Sequence, residues 1–512
     1  MPAPFQQGGK TVSAKENWKK LSKILDEADA YDRAIGKLNF DLECTAPEEG
    51  MDQTGEDMAV LGRRLFSLLH SKRFTDLLTA LKNDPEGLSD RQKRAVELLW
   101  RDHEKEKNIS PAFAYRMSLA ETRAYTAWLK AKKASDFSRF APAFEKIVDL
   151  SRKAVLLRDK KYPTVYDALL DDYEPGGSVL QLDGFFSSLK ERILPLIKRI
   201  SEEGRPIRTD FLTRPVPIEK QEKFSRAILD LEGLRRSALV LSTTEHPFTD
   251  HYGPHDVRVT THYYEKNFVS NIFTTLHEGG HALFMQNEPE EYYADHVADE
   301  MTSAMHETVS RFFENYIGRS RAFVRYLYPI VQKVGGRTFS DVSETELYLA
   351  VNASVPGLNR CESDELTYPI HVMIRYELEK AFVNGEIKVK DIPAAWNERY
   401  KEYLGVDVPN DAEGCLQDVH WTGMYGYFPS YALGNAYGAQ ILRKMETEFD
   451  VFDGVSKGDL SKVGAWLTER VFSIASLTDP DEWIKRITGE PLNVNYYLDY
   501  LENKFKTIYG LR

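Results

Sequence analysis

The sequence predicts a mainly α-helical fold, on three observations. Apolar residues recur at three- and four-residue intervals through most of the chain. Gly and Pro are scarce within those stretches and cluster at the breaks between them. Alternating β-branched sequence is confined mainly to one short region. The architecture expected is one large helical domain over residues 1–512, two-lobed around a deep cleft, with a small β-sheet beside the helix that carries the main motif.

Taken in order, residues 1–13 read as a loose polar tail. Gly9-Lys10-Thr11 looks like the end of a phosphate-binding loop, but the glycine such a loop needs five residues earlier is Pro4, so that reading fails. From about Glu16 to about Ile200 the pattern is helical. Trp18, Leu21, Leu25 and Ala28 make one apolar stripe, and similar stripes run through 57–82, 90–107, 112–133 and 137–158. Breaks fall at 47–50, 85–87 and 174–177, and the charged stretch Arg101–Lys107 reads as a solvated helix face. Residues 14–245 are therefore expected to be mostly helical. Asp256 to Tyr264, rich in β-branched and aromatic residues, is the expected strand. Helical patterning resumes at 271, with breaks near 335–337, 354–357 and 423–429, and residues 246–512 hold the candidate site.

Composition narrows the class. The chain has 512 residues, 42% of them hydrophobic and 29% charged, as expected of a soluble globular protein with a large core. A net charge of -12 argues against nucleic acid or an anionic membrane as partner. The three cysteines, Cys44, Cys361 and Cys415, form neither a C-x-x-C pair nor an even disulfide framework. The start of the chain lacks the apolar core of a secretory signal, and no apolar run is long enough to span a membrane. A reducing, cytoplasmic setting is the expectation.

The motif with the most chemistry is His277-Glu278-Gly279-Gly280-His281. Positions i and i+4 share a helix face, so both imidazoles can reach one cation, and a glutamate directly after the first can hold and deprotonate a water there. With 12 histidines, composition generates this pattern only about 0.02 times in a chain of this size. The flanking Ile272, Leu276 and Leu283 keep helical spacing, so the motif sits on a buried helix with one wet face. Two interior glycines cost about 1 kcal/mol each relative to alanine. They imply that something, a bound peptide or a neighbouring strand, lies close against this helix. Catalytic zinc takes three protein ligands and leaves a place for water. Glu291, Asp295, Asp299, Glu300 and Glu307 are the candidates for the third, with Glu307, 26 residues beyond His281 in a well-patterned helix, favoured over its main rival Glu300.

A set of further motifs, in order, gives the chain a specific resemblance. His246-Pro247-Phe248 and Asp256-Val257-Arg258-Val259-Thr260 precede the H-E-x-x-H element, and His306-Glu307-Thr308 and Gly414-Cys415-Leu416-Gln417-Asp418-Val419-His420-Trp421 follow it. This series resembles the Taq-type metallocarboxypeptidase family. One motif departs: the family's I-R-x-x-A-D stands here as Asn359-Arg360-Cys361-Glu362-Ser363-Asp364, keeping only the arginine and the aspartate. The resemblance implies a helical enzyme, zinc-dependent with cobalt or manganese also admissible, that hydrolyses the C-terminal residue from peptides and assembles as a homodimer. It makes His277, His281 and Glu307 the metal ligands, Glu278 the general base, and Arg360 the group that binds the substrate's terminal carboxylate.

Chemistry asks for the same parts. A buried terminal carboxylate needs a cation, and arginine's planar fork meets it with two hydrogen bonds. The alternative for Arg360 is internal pairing with Glu362 or Asp364. Arg258 is a second candidate, with Asp256 as its competing partner. The loop from His420 to Tyr431 is dense in donors for an oxyanion, and His420 and Tyr427, then Tyr431, are the residues expected to serve. His246 either lines the cleft or fixes a turn. The peptide backbone is expected to pair with the edge of the 256–263 strand. Two rival functions remain in view: an oligopeptidase or dipeptidase cutting internal bonds by the same chemistry, and a helical scaffold whose metal is structural.

Overall fold

The computed structural model describes residues 13–512, so the tail through residue 12 and its Gly9-Lys10-Thr11 lie outside the described residues. Ser13 opens the first helix by accepting the Glu16 N–H on its hydroxyl, and helix Ala14–Cys44 follows. Helices Met51–Leu69, Lys72–Asn83, Asp90–Glu106, Pro111–Ala134 and Ala141–Leu156 succeed it. Ser71, Ser89 and Ser110 each cap the helix they precede. The stretch 101–107 is not simply solvated. Arg101 donates to both carboxylate oxygens of Asp479, and Lys105 stands 3.4 Å from Asp172, so this face docks on other parts of the chain.

A small core of Trp18, Leu21, Phe74, Leu78 and Ala95 holds the N-terminal helices together and reaches Val297. A much larger core takes in most of the remaining buried apolar side chains, from Ala124 to Tyr509. Burial of this kind is what stabilises helices whose local propensity alone is marginal.

The sheet has three strands: β1 (Leu239–Thr243), β2 (Thr249–His251) and β3 (Val257–Thr261), in the order β1-β3-β2. β3 pairs parallel with β1 (Leu241 opposite Val259) and antiparallel with β2 (Asp250 opposite Arg258). The expected strand is therefore present, but it is the central one, with neighbours on both sides, and offers no open edge to a peptide. β2 is the edge nearer the site. Val257 and Val259 point into the core, and Thr261 donates to Asn271 on the next helix, fixing sheet to helix.

That next helix, Phe268–Asn287, carries the H-E-x-x-H residues and is buried on most of its surface. Its glycines answer to neighbours other than a peptide or a strand. A Cβ at position 280 would lie 2.8 Å from the Ser310 Cα and the Val309 carbonyl oxygen, so Gly280 lets helix Ser303–Arg311 come into backbone contact. Gly279 faces the buried carboxylate of Glu232. A third helix, Phe428–Glu446, closes on the other side of Ser303–Arg311. There a Cβ at Gly434 would sit 2.8 Å from the Glu307 Cβ. Glycine at both crossings stacks the three helices closely enough for their side chains to converge.

Candidate active site

His277 and His281 project from the same face of their helix, and Glu307 meets them from helix Ser303–Arg311. One ligand atom from each of the three lies within 4.8 Å of the others, and His277 Nε2 stands 3.9 Å from Glu307 Oε2. Glu300 does not join them; its backbone N–H donates to Ser476 Oγ, and its side chain is away from the site cavity. Asp295 is held by Arg91 and Gln92.

Each histidine has its other nitrogen engaged. His277 Nδ1 is 2.9 Å from Glu314 Oε2, and His281 Nδ1 is 2.6 Å from His306 Nδ1. The first contact requires His277 to donate from Nδ1. In the second, one imidazole donates and the other accepts, and with His281 as donor both ligand histidines leave Nε2 free. Burial pushes the His306 pKa down to about 4, so it is neutral and able to accept. Burial alone would lower the His277 pKa, but Glu307 and Glu314 outweigh it and raise it. Two imidazoles and a carboxylate at this spacing suit a divalent cation, which would take His277 in its neutral form.

Glu314 sits in a π-helical segment, Phe312–Ile317, that continues the Ser303–Arg311 helix. Seven residues apart on this continuous helical run, Glu307 and Glu314 share a face, and both reach His277, at 3.9 Å and 2.9 Å. Arg311, buried between them, donates to Glu314 Oε2 at 2.9 Å and to the Tyr368 hydroxyl at 2.7 Å, and its Nε is 3.4 Å from Glu307 Oε2. Burial would raise the Glu314 pKa, yet Arg311, His277 and Arg319 together pull it down to about 2. It stays ionised.

Glu278 is 6% exposed and is positioned from β2: the Thr249 hydroxyl is 2.7 Å from its Oε2 and 2.9 Å from its backbone carbonyl. Burial raises its pKa, partly countered by His277 and Thr249. The two upstream motifs build this support. Phe248 N–H donates to Thr260 Oγ1 and Thr260 N–H to the Phe248 carbonyl, which joins His246-Pro247-Phe248 to β3 and places Thr249 under Glu278.

A cavity of about 950 Å³ opens over these groups, within the usual span for ligand sites. Arg360, Tyr368, Tyr427 and Tyr431 form part of its wall. Arg360 pairs with neither Glu362 nor Asp364. Its Nε and Nη2 both donate to Asp418 Oδ1, and Nη1 to the Tyr368 hydroxyl. Asp364 instead caps the turn before helix Tyr368–Asn384, accepting the Leu366 and Thr367 N–H groups. Asp418 also takes Arg375 at 2.6 Å, and despite burial these two arginines hold its carboxyl far below the usual range. Two guanidinium groups against one carboxylate leave a buried excess of positive charge. Three of the five N–H groups of Arg360 are engaged, so two remain for a ligand.

The other expected residues fall differently. Arg258 is outside the cavity, paired with Asp256 at 2.9 Å and stacked on the rings of Phe40 and Tyr252. His246 is exposed and off the wall, although Pro247 and Phe248 line it. His420 stands behind the wall, its Nε2 3.3 Å from the Tyr431 hydroxyl, and burial lowers its pKa to about 4. Glu314, His306, Thr249, Arg311 and Asp418 were not singled out for these roles from the sequence. Only the placement of His306 beside Glu307 and of Asp418 two residues before His420 hinted at them.

Comparison with known proteins accords with this geometry. The profile described as carboxypeptidase Taq (M32) metallopeptidase matches residues 20–505. The chain is 39% identical over 496 residues to carboxypeptidase 1 of Bacillus subtilis, covering 96% of this chain and 99% of that one. It is 36% identical to thermostable carboxypeptidase 1 of Thermus thermophilus, over 94% and 97% of the two chains. The solved M32 carboxypeptidase of Deinococcus radiodurans superposes with a TM-score of 0.93 at 31% identity, over 97% of this chain and all of that one. The helical fold, the cation site and these relatives lead to one conclusion: the chain is a metallocarboxypeptidase belonging to the carboxypeptidase Taq (M32) family.

Proposed function

We propose that the protein is a zinc-dependent carboxypeptidase that releases the C-terminal residue of peptides, with Glu278 as general base. The observation that carries this reading is one arrangement: a His277/His281/Glu307 cluster with Glu278 beside it and a cationic Arg360 on the same cavity wall. His277, His281 and Glu307 are the ligands; zinc suits the donor set, and cobalt or manganese are admissible occupants. When bound, the cation supplies Lewis-acid polarisation of the scissile carbonyl and acidifies water.

The chain's own groups do the rest. The cavity is read as the substrate cleft, and the two free N–H groups of Arg360 take the terminal carboxylate, held in place by Asp418 and Tyr368. Arg258 and His246 have no part in this arrangement. Glu278 accepts the proton of the attacking water on the oxygen that Thr249 orients, then passes it to the leaving amine. Tyr427 or Tyr431 donates its O–H to the developing oxyanion, and His420 positions the Tyr431 hydroxyl from behind. An extended peptide backbone is met by β2, the strand edge on the cavity wall.

Glu278→Gln tests the central role. The variant is expected to keep zinc at wild-type affinity and to lose about 10²–10⁴-fold in kcat; wild-type turnover would remove Glu278 from the mechanism. Three unpaired cysteines support a reducing, cytoplasmic location. The family likeness supports a homodimer, which sedimentation velocity of the full chain distinguishes from a monomer.

A further inference from the structure

The cavity over the cation cluster carries its arginines on one side only. Arg311 donates to Glu314, which holds His277, and Arg319 stands 3.9 Å from Glu314. Arg360 joins them through the Tyr368 hydroxyl, which also takes Arg311. On the other side His281 rests on His306, and His251 lies close enough to His306 to help lower its pKa. Beside His251 that end of the wall is completed by Asp250 and Asp299, and no lysine or arginine lines it among the described residues.

Two side chains at that end have nothing to bind. His251 follows Thr249 by two residues on β2, so both point to one face, the face that meets Glu278. The His251 side chain is 10% exposed and lines the cavity, yet its imidazole makes no hydrogen bond among the described residues; Asp299 Oδ2 stands 3.9 Å from its Nε2. Burial lowers the His251 pKa, which leaves a neutral ring with an acceptor nitrogen. Asp299 is fixed by its backbone, whose N–H donates to both oxygens of Glu288, while its side chain is 45% exposed and open to the cavity. Its carboxylate accepts no hydrogen bond among the described residues. Partial burial and the nearby Asp250 and Asp32 carboxylates push its pKa up to about 7, a crowding that a cation would relieve. The Asp250 oxygens are already taken, by the His251 N–H and the Tyr252 hydroxyl.

Given the carboxypeptidase reading above, a peptide with its carboxylate on Arg360 carries the residues before the scissile bond past His281 to this end of the cavity. We propose that His251 and Asp299 form a subsite for a basic side chain, lysine or arginine, in the two residues that precede the one released. The ammonium or guanidinium group donates to the Asp299 carboxylate and to the free His251 nitrogen, and the aliphatic stem lies along Met285 and Met301, which also line the cavity. An acidic side chain there would face Asp250 and Asp299 without a partner, and an apolar one would leave His251 and Asp299 unbound.

The test compares kcat/KM of the zinc-loaded full chain on N-acetylated tetrapeptides that end in the same residue and carry lysine, leucine or glutamate at the second or third position. Acetylation leaves the lysine side chain as the only ammonium group. A lysine-to-leucine ratio of about five or more is expected at one of these positions, with glutamate below leucine. Asp299→Asn keeps the side chain's shape and tolerates the φ of 60° at this position, and in it the ratio is expected to fall to about one. His251→Phe, which fills the same space without the acceptor nitrogen, is expected to lower the ratio by about half. A ratio near one in the unaltered protein, with the leucine peptides still trimmed, overturns the inference and leaves the carboxypeptidase reading standing. A lysine preference that Asp299→Asn leaves intact places the recognition elsewhere and overturns it too. If no peptide is trimmed, both fall. Should Asp299→Asn not fold, a preference undiminished in His251→Phe has the same force.

Discussion

At the scale of single residues, the site is a layered set of hydrogen bonds in which each group of the proposed machinery is held by a second group. Glu314 holds His277, His306 holds His281, Thr249 holds Glu278, and Asp418 holds Arg360. Partners of ligand histidines fix ring orientation and tautomer, and their loss typically costs 10–100-fold in metal affinity. Glu314→Ala is therefore expected to weaken zinc binding by about that factor, read by competition with a chelator, while the fold persists. An unchanged zinc affinity would make Glu314 a partner of Arg311 alone. This layer is also where the sequence was least legible. His277, Glu278 and His281 declare themselves by spacing, because helix geometry converts sequence distance into a shared face. Thr249 lies 29 residues before Glu278, and Asp418 lies 58 residues after Arg360. No local periodicity links such pairs; only the folded chain does.

At the scale of elements, three helices and one strand build the site, and their approach distances matter more than their propensities. Gly280 and Gly434 stand where Phe268–Asn287, Ser303–Arg311 and Phe428–Glu446 touch. A methyl group at position 280 meets backbone atoms that cannot swing aside. Gly280→Ala should thus force the helices apart, costing about 1–3 kcal/mol of stability by urea unfolding and loosening the cation site together with it. Wild-type stability with intact zinc affinity would show that the crossing has slack. The glycines were visible in the sequence as an anomaly inside a helix, but what they accommodate was not, because the partner is another helix 30 residues away. β1 and β2 escaped notice for simpler reasons. Leu239–Thr243 follows a helical stretch without a strong break, and Thr249–His251 is too short to show alternation. The π-helical segment Phe312–Ile317 continues the Ser303–Arg311 helix with no Gly or Pro to mark the change, and it carries Glu314.

At the scale of the molecule, the mainly helical class and the small sheet beside the main helix follow from residue patterns that run through the sequence, which is why they were readable. What burial does to charge was not. Glu379 is fully buried on helix Tyr368–Asn384 and accepts from Tyr166 Oη–H and the Gly426 N–H, and burial raises its pKa to about 8. A carboxyl with a raised folded-state pKa binds its proton more tightly in the native state, so its stabilising effect is full below the unfolded value near 4.5 and is lost as pH rises through about 8. Glu379→Gln should flatten the pH dependence of stability across that window, gaining on the unaltered protein most at the alkaline end; parallel curves would contradict this assignment. The claim that joins all three scales is that a cation cluster and Arg360 together select a free C-terminus. Mass spectrometry of a mixed peptide pool, half with free C-termini and half amidated, incubated with the zinc-loaded protein, tests it most directly. The account predicts ladders that lose single residues from free C-termini only, and internal cuts in amidated peptides would contradict it.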